Sequence, residues 1–168
     1  MKRTFALLLC MMFLACQNGQ KKEDDSKKVI DFYDNKIQID TIYIQSLNPS
    51  AKETTMDWNA YTALESEMHR MKAFNISEVL NNTDNIIRIS DTLQKTIPDT
   101  LQKRPVKSRL KLIKTQAKNL KQLLHFRSQD SARINESIYK LVQGYSSLNI
   151  QINEIHIKTP NFESKNED

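Results

Sequence analysis

Glycine is almost missing from this chain: Gly19 and Gly144 are the only two in 168 residues. That argues against a glycine-rich phosphate loop, a dinucleotide-binding turn or a nucleophile elbow, each of which needs glycine at fixed places. It also argues against tight β-hairpins. Cysteine is as scarce, with Cys10 and Cys16 the only two. Proline occurs four times and tryptophan once. No apolar run is long enough to span a bilayer as a helix, the longest being Phe5 to Leu14. Neither His-Glu-x-x-His nor Gly-x-Ser-x-Gly occurs. What is present, 39% hydrophobic and 27% charged residues, is a globular composition with room for one core.

The N-terminus carries an address. Lys2 and Arg3 form a basic start, and Phe5 to Leu14 an apolar stretch of signal-peptide length. The stretch ends in Phe13-Leu14-Ala15-Cys16. A small residue before cysteine resembles the lipobox of bacterial lipoproteins. The resemblance implies a signal peptide over 1–15 and cleavage before Cys16. It also implies diacylglycerol on the sulfur and an acyl chain such as palmitate on the new amino group. Two or more acyl chains hold a protein on a membrane stably. With Cys16 lipidated, no disulfide or thiolate chemistry is expected of the mature chain. Residues 17–28 are polar and charged and read as a flexible tether. Glu23, Asp24 and Asp25 resemble the acidic surface-export signal of Bacteroidota lipoproteins.

Four short motifs resemble the Asp-Ser/Thr-apolar acceptor of Bacteroidota O-glycosylation. They place candidate acceptors at Thr41, Thr92, Thr100 and Ser131. Asp-Thr and Asp-Ser equally serve as turns and helix caps.

Residues 29–50 read as an extended arm or short strand. Ile37 and Ile39 alternate, then Ile42 and Ile44 alternate on the other parity. From Asp57 the period becomes helical. Tyr61, Leu64, Met68 and Met71 form a stripe continued by Val79, Ile86, Leu93 and Ile97 after a phase slip near Asn75. Asn75 and Glu78 have capping-box spacing, and Phe74 and Val79 staple spacing. A second seam runs through Val106, Leu110, Ile113, Ala117, Leu120 and Leu124. A third runs through Ile134, Ile138, Leu141, Tyr145, Leu148, Ile152 and Ile155. They share one register, so residues 105–157 fit either one long helix or two helices with a turn at Ser128-Gln129-Asp130. A folded-back chain buries more apolar area, and Asp130 suits a cap. The expected fold is therefore all-α: an antiparallel three- or four-helix bundle over 56–158, with coiled-coil-like seams, an N-terminal extended arm and a disordered tail over 159–168.

Lys107, Lys111, Lys114, Lys118 and Lys121 each follow a seam residue by one and form a basic stripe. Between Asp99 and Arg127 nine Lys or Arg stand against one acid. One reading is a face for an anionic partner in the cell envelope, either a protein or an acidic glycan or lipid. The other is internal balance against Glu65, Glu67, Glu78, Asp84 and Asp91. Nucleic acid is not expected, because the stripe lacks interleaved aromatics. Met68, His69 and Met71 are weak candidates for a cuprous site, since thioethers suit that soft ion. Methionines filling the core are the competing reading. No cofactor and no enzymatic activity are expected.

These features resemble the small helical lipoproteins of Bacteroidota, a likeness specific at the lipobox. It implies a lipid-anchored protein of the cell outer membrane, on its periplasmic or its surface face. The expected role is a non-enzymatic interaction or scaffolding module. The alternatives are a periplasmic chaperone-like or amphiphile-binding helical protein and a copper-stress protein.

Overall fold

Polar side chains at the right offsets set the helix starts. A computed structural model describes residue 32 and residues 34–37, 43–125 and 130–157. Cys16, Thr41, the signal and tether segments, residues 126–129 and the tail lie outside the described residues. Among those described are five α-helices and no strand. α1 spans Pro49–Thr55, α2 Asn59–Arg70, α3 Ile76–Lys95, α4 Arg104–His125 and α5 Ser131–Ile155. All belong to one unit beginning at Phe32.

α1 precedes the helical period read from Asp57. Asn48 caps it, its Oδ1 accepting from the Ala51 amide at 2.8 Å, and Pro49 follows in the first turn, where a missing N–H costs nothing. The slip near Asn75 is a 3₁₀ turn, Met71–Ala73, between α2 and α3. The capping box forms: Asn75 Oδ1 accepts from Glu78 N and Glu78 Oε2 from Asn75 N, each at 2.8 Å. α3 stops before Pro98, which disfavours helical backbone in the residue ahead of it. Residues 105–157 form two helices, not one. Asp130 caps the second, its Oδ1 accepting from Arg133 N at 3.1 Å.

The expected seams are the core. Val106, Leu110, Ile113, Ala117, Leu120 and Leu124 are buried along α4. Ile134, Ile138, Leu141, Tyr145, Leu148 and Ile152 are buried along α5. Tyr61, Leu64, Met68, Met71, Val79, Ile86 and Leu93 face them. Cross-links fix the directions. Trp58 at the start of α2 reaches Thr96 just past α3. Asp84 and Asp91 of α3 meet Lys121 and Lys114 of α4 in reverse order. Tyr61 and Glu65 of α2 meet Asn149 and Tyr145 of α5 in reverse order. The bundle is therefore antiparallel at these contacts.

The arm finds partners in two places. Ile37 N donates to Phe74 O and Ile76 N to Asn35 O, both at 3.2 Å, as an isolated antiparallel bridge. Residues 45–48 instead lie on α5, which supplies side chains where a strand would supply backbone. Gln45 N donates to Ser146 Oγ at 2.9 Å, and Asn149 Nδ2 to Gln45 O at 2.7 Å. Asn153 Nδ2 donates to Ser46 O at 2.9 Å, and its Oδ1 accepts from Asn48 N at 2.8 Å. Backbone groups removed from water need such partners.

Candidate functional site

Two regions of the bundle combine charge with access. The first is the outward flank of α4. Its seam residues turn inward, so the residues one place on turn toward α3 or solvent. Lys114 pairs with Asp91 and Lys121 with Asp84, the latter at 2.5 Å. The hydrogen bond from Lys114 holds the Asp91 carboxyl below its ordinary pKa. Lys107, Lys111 and Lys118 are exposed, and no described carboxylate forms an ion pair with them. Lys107 Nζ reaches only Gln102 Oε1, at 3.5 Å. Lys103 and Arg104 stand beside Lys107 at the N-terminus of α4, whose first turn holds no acid. Helix N-termini favour anions, so cations there are placed against the local field.

The internal balance expected from five carboxylates is only partial. Asp84 and Asp91 face the stripe, but the other three are engaged elsewhere. Glu65 accepts from Tyr145 Oη of α5. Glu67 is buried and accepts from Asn82 and Asn85 of α3, with Arg70 at 3.5 Å. Glu78 is committed to the α3 cap.

The second region gathers Trp58, Tyr61 and Tyr145, aromatics that the sequence offers as core or groove residues without placing them together. The Trp58 and Tyr61 rings stack at 5.8 Å, and Tyr61 tilts against Tyr145 at 6.1 Å. Trp58 Nε1 donates to Thr96 Oγ1 at 3.0 Å. Tyr61 Oη donates to Asn149 Oδ1 at 2.8 Å and lies 3.2 Å from Tyr145 Oη. Tyr145 Oη lies 3.3 Å from Glu65 Oε1. Burial, then the neighbouring groups, push the Tyr61 hydroxyl well above its ordinary pKa. Burial also pushes Tyr145 up to about 12. A cavity of about 870 Å³ opens beside this network, between α1 and the start of α2. Sequence spacing hid it, because the tyrosines match seam positions and signal only core. The signal that existed was a row of polar residues, Ser146, Asn149 and Asn153, inside an otherwise apolar helix.

The remaining candidates are dispersed. Met68 and Met71 are fully buried and His69 is exposed, so the three do not converge. Among the described residues no three His, Cys, Asp or Glu gather as a metal site. Thr92, Thr100 and Ser131 are exposed on α3, on the 3₁₀ turn Asp99–Leu101 and at the start of α5. Thr92 Oγ1 donates back to Arg88 O at 3.2 Å. Among the described residues no helix is long and apolar enough to cross a membrane.

No protein-family model, no curated protein and no solved structure matches the chain.

Proposed function

We propose that this is a lipid-anchored, non-enzymatic interaction module of the cell envelope, held by Cys16, with the outer face of α4 as its contact for an anionic partner. The observation that carries the contact is the unpaired part of the stripe. Among the described residues Lys107, Lys111 and Lys118 form no ion pair, although Lys118 lies in the field of Asp91, while Lys114 and Lys121 on the same helix are paired. Clustered like charges repel one another, and those near the N-terminus of α4 also oppose the helix dipole. An anionic partner relieves both costs. The anchor rests on the lipobox-like sequence alone.

The face is tested with the full-length protein on vesicles doped with anionic lipid and on immobilised acidic glycan. Lys107→Glu/Lys111→Glu/Lys118→Glu should abolish retention on whichever surface binds, and wild-type retention should fall as salt rises. Lys114→Gln/Lys121→Gln should lower thermal stability slightly and leave retention largely intact. Equal retention in wild type and the triple variant would remove α4 from the contact. The anchor is tested separately: Cys16→Ala should move the protein out of the membrane fraction.

The chaperone-like alternative has less support. The exposed large apolar side chains among the described residues are few: Tyr43, Met56, Leu80, Tyr139, Ile150 and Ile157.

A further inference from the structure

The α1–α2 cavity has a polarity opposite to that of the α4 face. The apolar part of its lining is Leu47, Pro49, Met56 and the Tyr61 ring. Its polar groups are the hydroxyls of Ser50, Thr55 and Thr62, and its charged groups Glu53 and Glu65 against the single cation Lys52, a net negative balance. At about 870 Å³ it falls in the size range of small-ligand sites, where apolar walls and a few convergent polar groups are usual.

Behind Tyr61 and Glu65 of its lining lies the tyrosine network. Tyr61 spends its one hydroxyl hydrogen on Asn149 Oδ1. Tyr145 has one hydrogen and two acceptors within reach, Tyr61 Oη at 3.2 Å and Glu65 Oε1 at 3.3 Å. It can serve only one of them well at a time. The Asn149 amide turns one Nδ2 hydrogen to Gln45 O on the arm. Among the described residues Glu65 Oε2 receives no hydrogen bond and no base forms an ion pair with Glu65. The site therefore carries one net negative charge around a half-buried carboxylate that is in no ion pair among the described residues. A ligand that supplies positive charge and N–H donors offsets that charge and bonds the carboxylate directly. One that also carries a short aliphatic stem covers Met56, a side chain 70% exposed on the rim.

We propose that this cavity binds an alkylammonium group, with the ammonium on Glu65 and the stem against Met56 and Tyr61. The same chemistry is offered by a free polyamine and by a lysine side chain of a peptide. The site is independent of the α4 face and draws the opposite charge.

Isothermal titration of the full-length protein with 1,5-diaminopentane and with an Nα-acetyl-lysine amide tests it, with 1-pentanol as the uncharged control. Saturable one-to-one binding of an amine, with no saturable binding of the alcohol, is expected. Binding of the diamine alone would assign a free polyamine. Binding of the lysine amide as well would assign a peptide side chain. Glu65→Gln should weaken binding by about tenfold or more, roughly 1.4 kcal/mol. Thr62→Arg changes an exposed lining residue and should block the cavity without touching the tyrosine network. Failure of both amines to bind would overturn the proposal. So would binding that survives both substitutions, or that the alcohol reproduces.

Discussion

Asn149 is the residue on which two parts of the molecule depend. Its Oδ1 receives Tyr61 and its Nδ2 holds the arm at Gln45. Asn149→Leu keeps the branched shape but leaves the Tyr61 hydroxyl with only Tyr145 Oη in reach and removes the Asn149 donor from the Gln45 carbonyl of the arm. A loss of about 1–3 kcal/mol is expected, the usual cost of removing one partner from buried hydrogen bonds. Chemical denaturation measures the loss, and hydrogen exchange should show faster exchange at Gln45 and Asn48. The tyrosines set a pH limit as well. Ordinary tyrosine ionises at 10.0 and Tyr145 at about 12 when folded. Between those values the unfolded chain gives up a proton that the folded chain keeps. The stabilisation from holding Tyr145 neutral is complete below about pH 10 and falls as pH rises. Tyr61, raised further, extends the loss in the same direction. Thermal melts should drop across this window, and Tyr61→Phe/Tyr145→Phe should flatten the drop. A melt independent of alkaline pH would contradict the burial of these hydroxyls.

At the scale of elements, caps and close contacts decide. Asn75→Ala removes the α3 capping box and should cost about 1 kcal/mol. Gly144, inside α5, is the one glycine of the described residues. A methyl group built there would meet Ile113 Cγ1 at 3.4 Å, an ordinary contact. Gly144→Ala should therefore be tolerated and should stabilise by roughly 0.5–1 kcal/mol through helix propensity. A branched side chain there would instead push α4 and α5 apart. The helices were legible because their seams repeat at three and four residues and their caps are local. Asn75, Glu78 and Asp130 sit within three residues of the amides they serve. α1 was missed because seven residues give too little period, although Asn48-Pro49 is a sound helix start. Its signal was read only as the end of the arm.

At the scale of the whole molecule, sequence reading reached the bundle but not what lies between its parts. Pairing of the arm with Ser146, Asn149 and Asn153 spans about a hundred positions, and no local pattern encodes it. The same holds for the cavity, whose lining comes from the arm, α1 and α2. The Lys stripe was visible as a row, but its division into paired and unpaired members needed α3 in place. Lys114 and Lys121 work within the fold, whereas Lys107, Lys111 and Lys118 form no ion pair among the described residues and are the contact proposed for an anionic partner. Photo-cross-linking in intact cells tests this most directly. A photoreactive residue replaces exposed Ser108, between Lys107 and Lys111, in the full-length protein. The expected result is one dominant envelope adduct that disappears in Lys107→Glu/Lys111→Glu/Lys118→Glu, with the melting temperature preserved. A broad spread of adducts indifferent to that charge reversal, or no adduct at all, would contradict it.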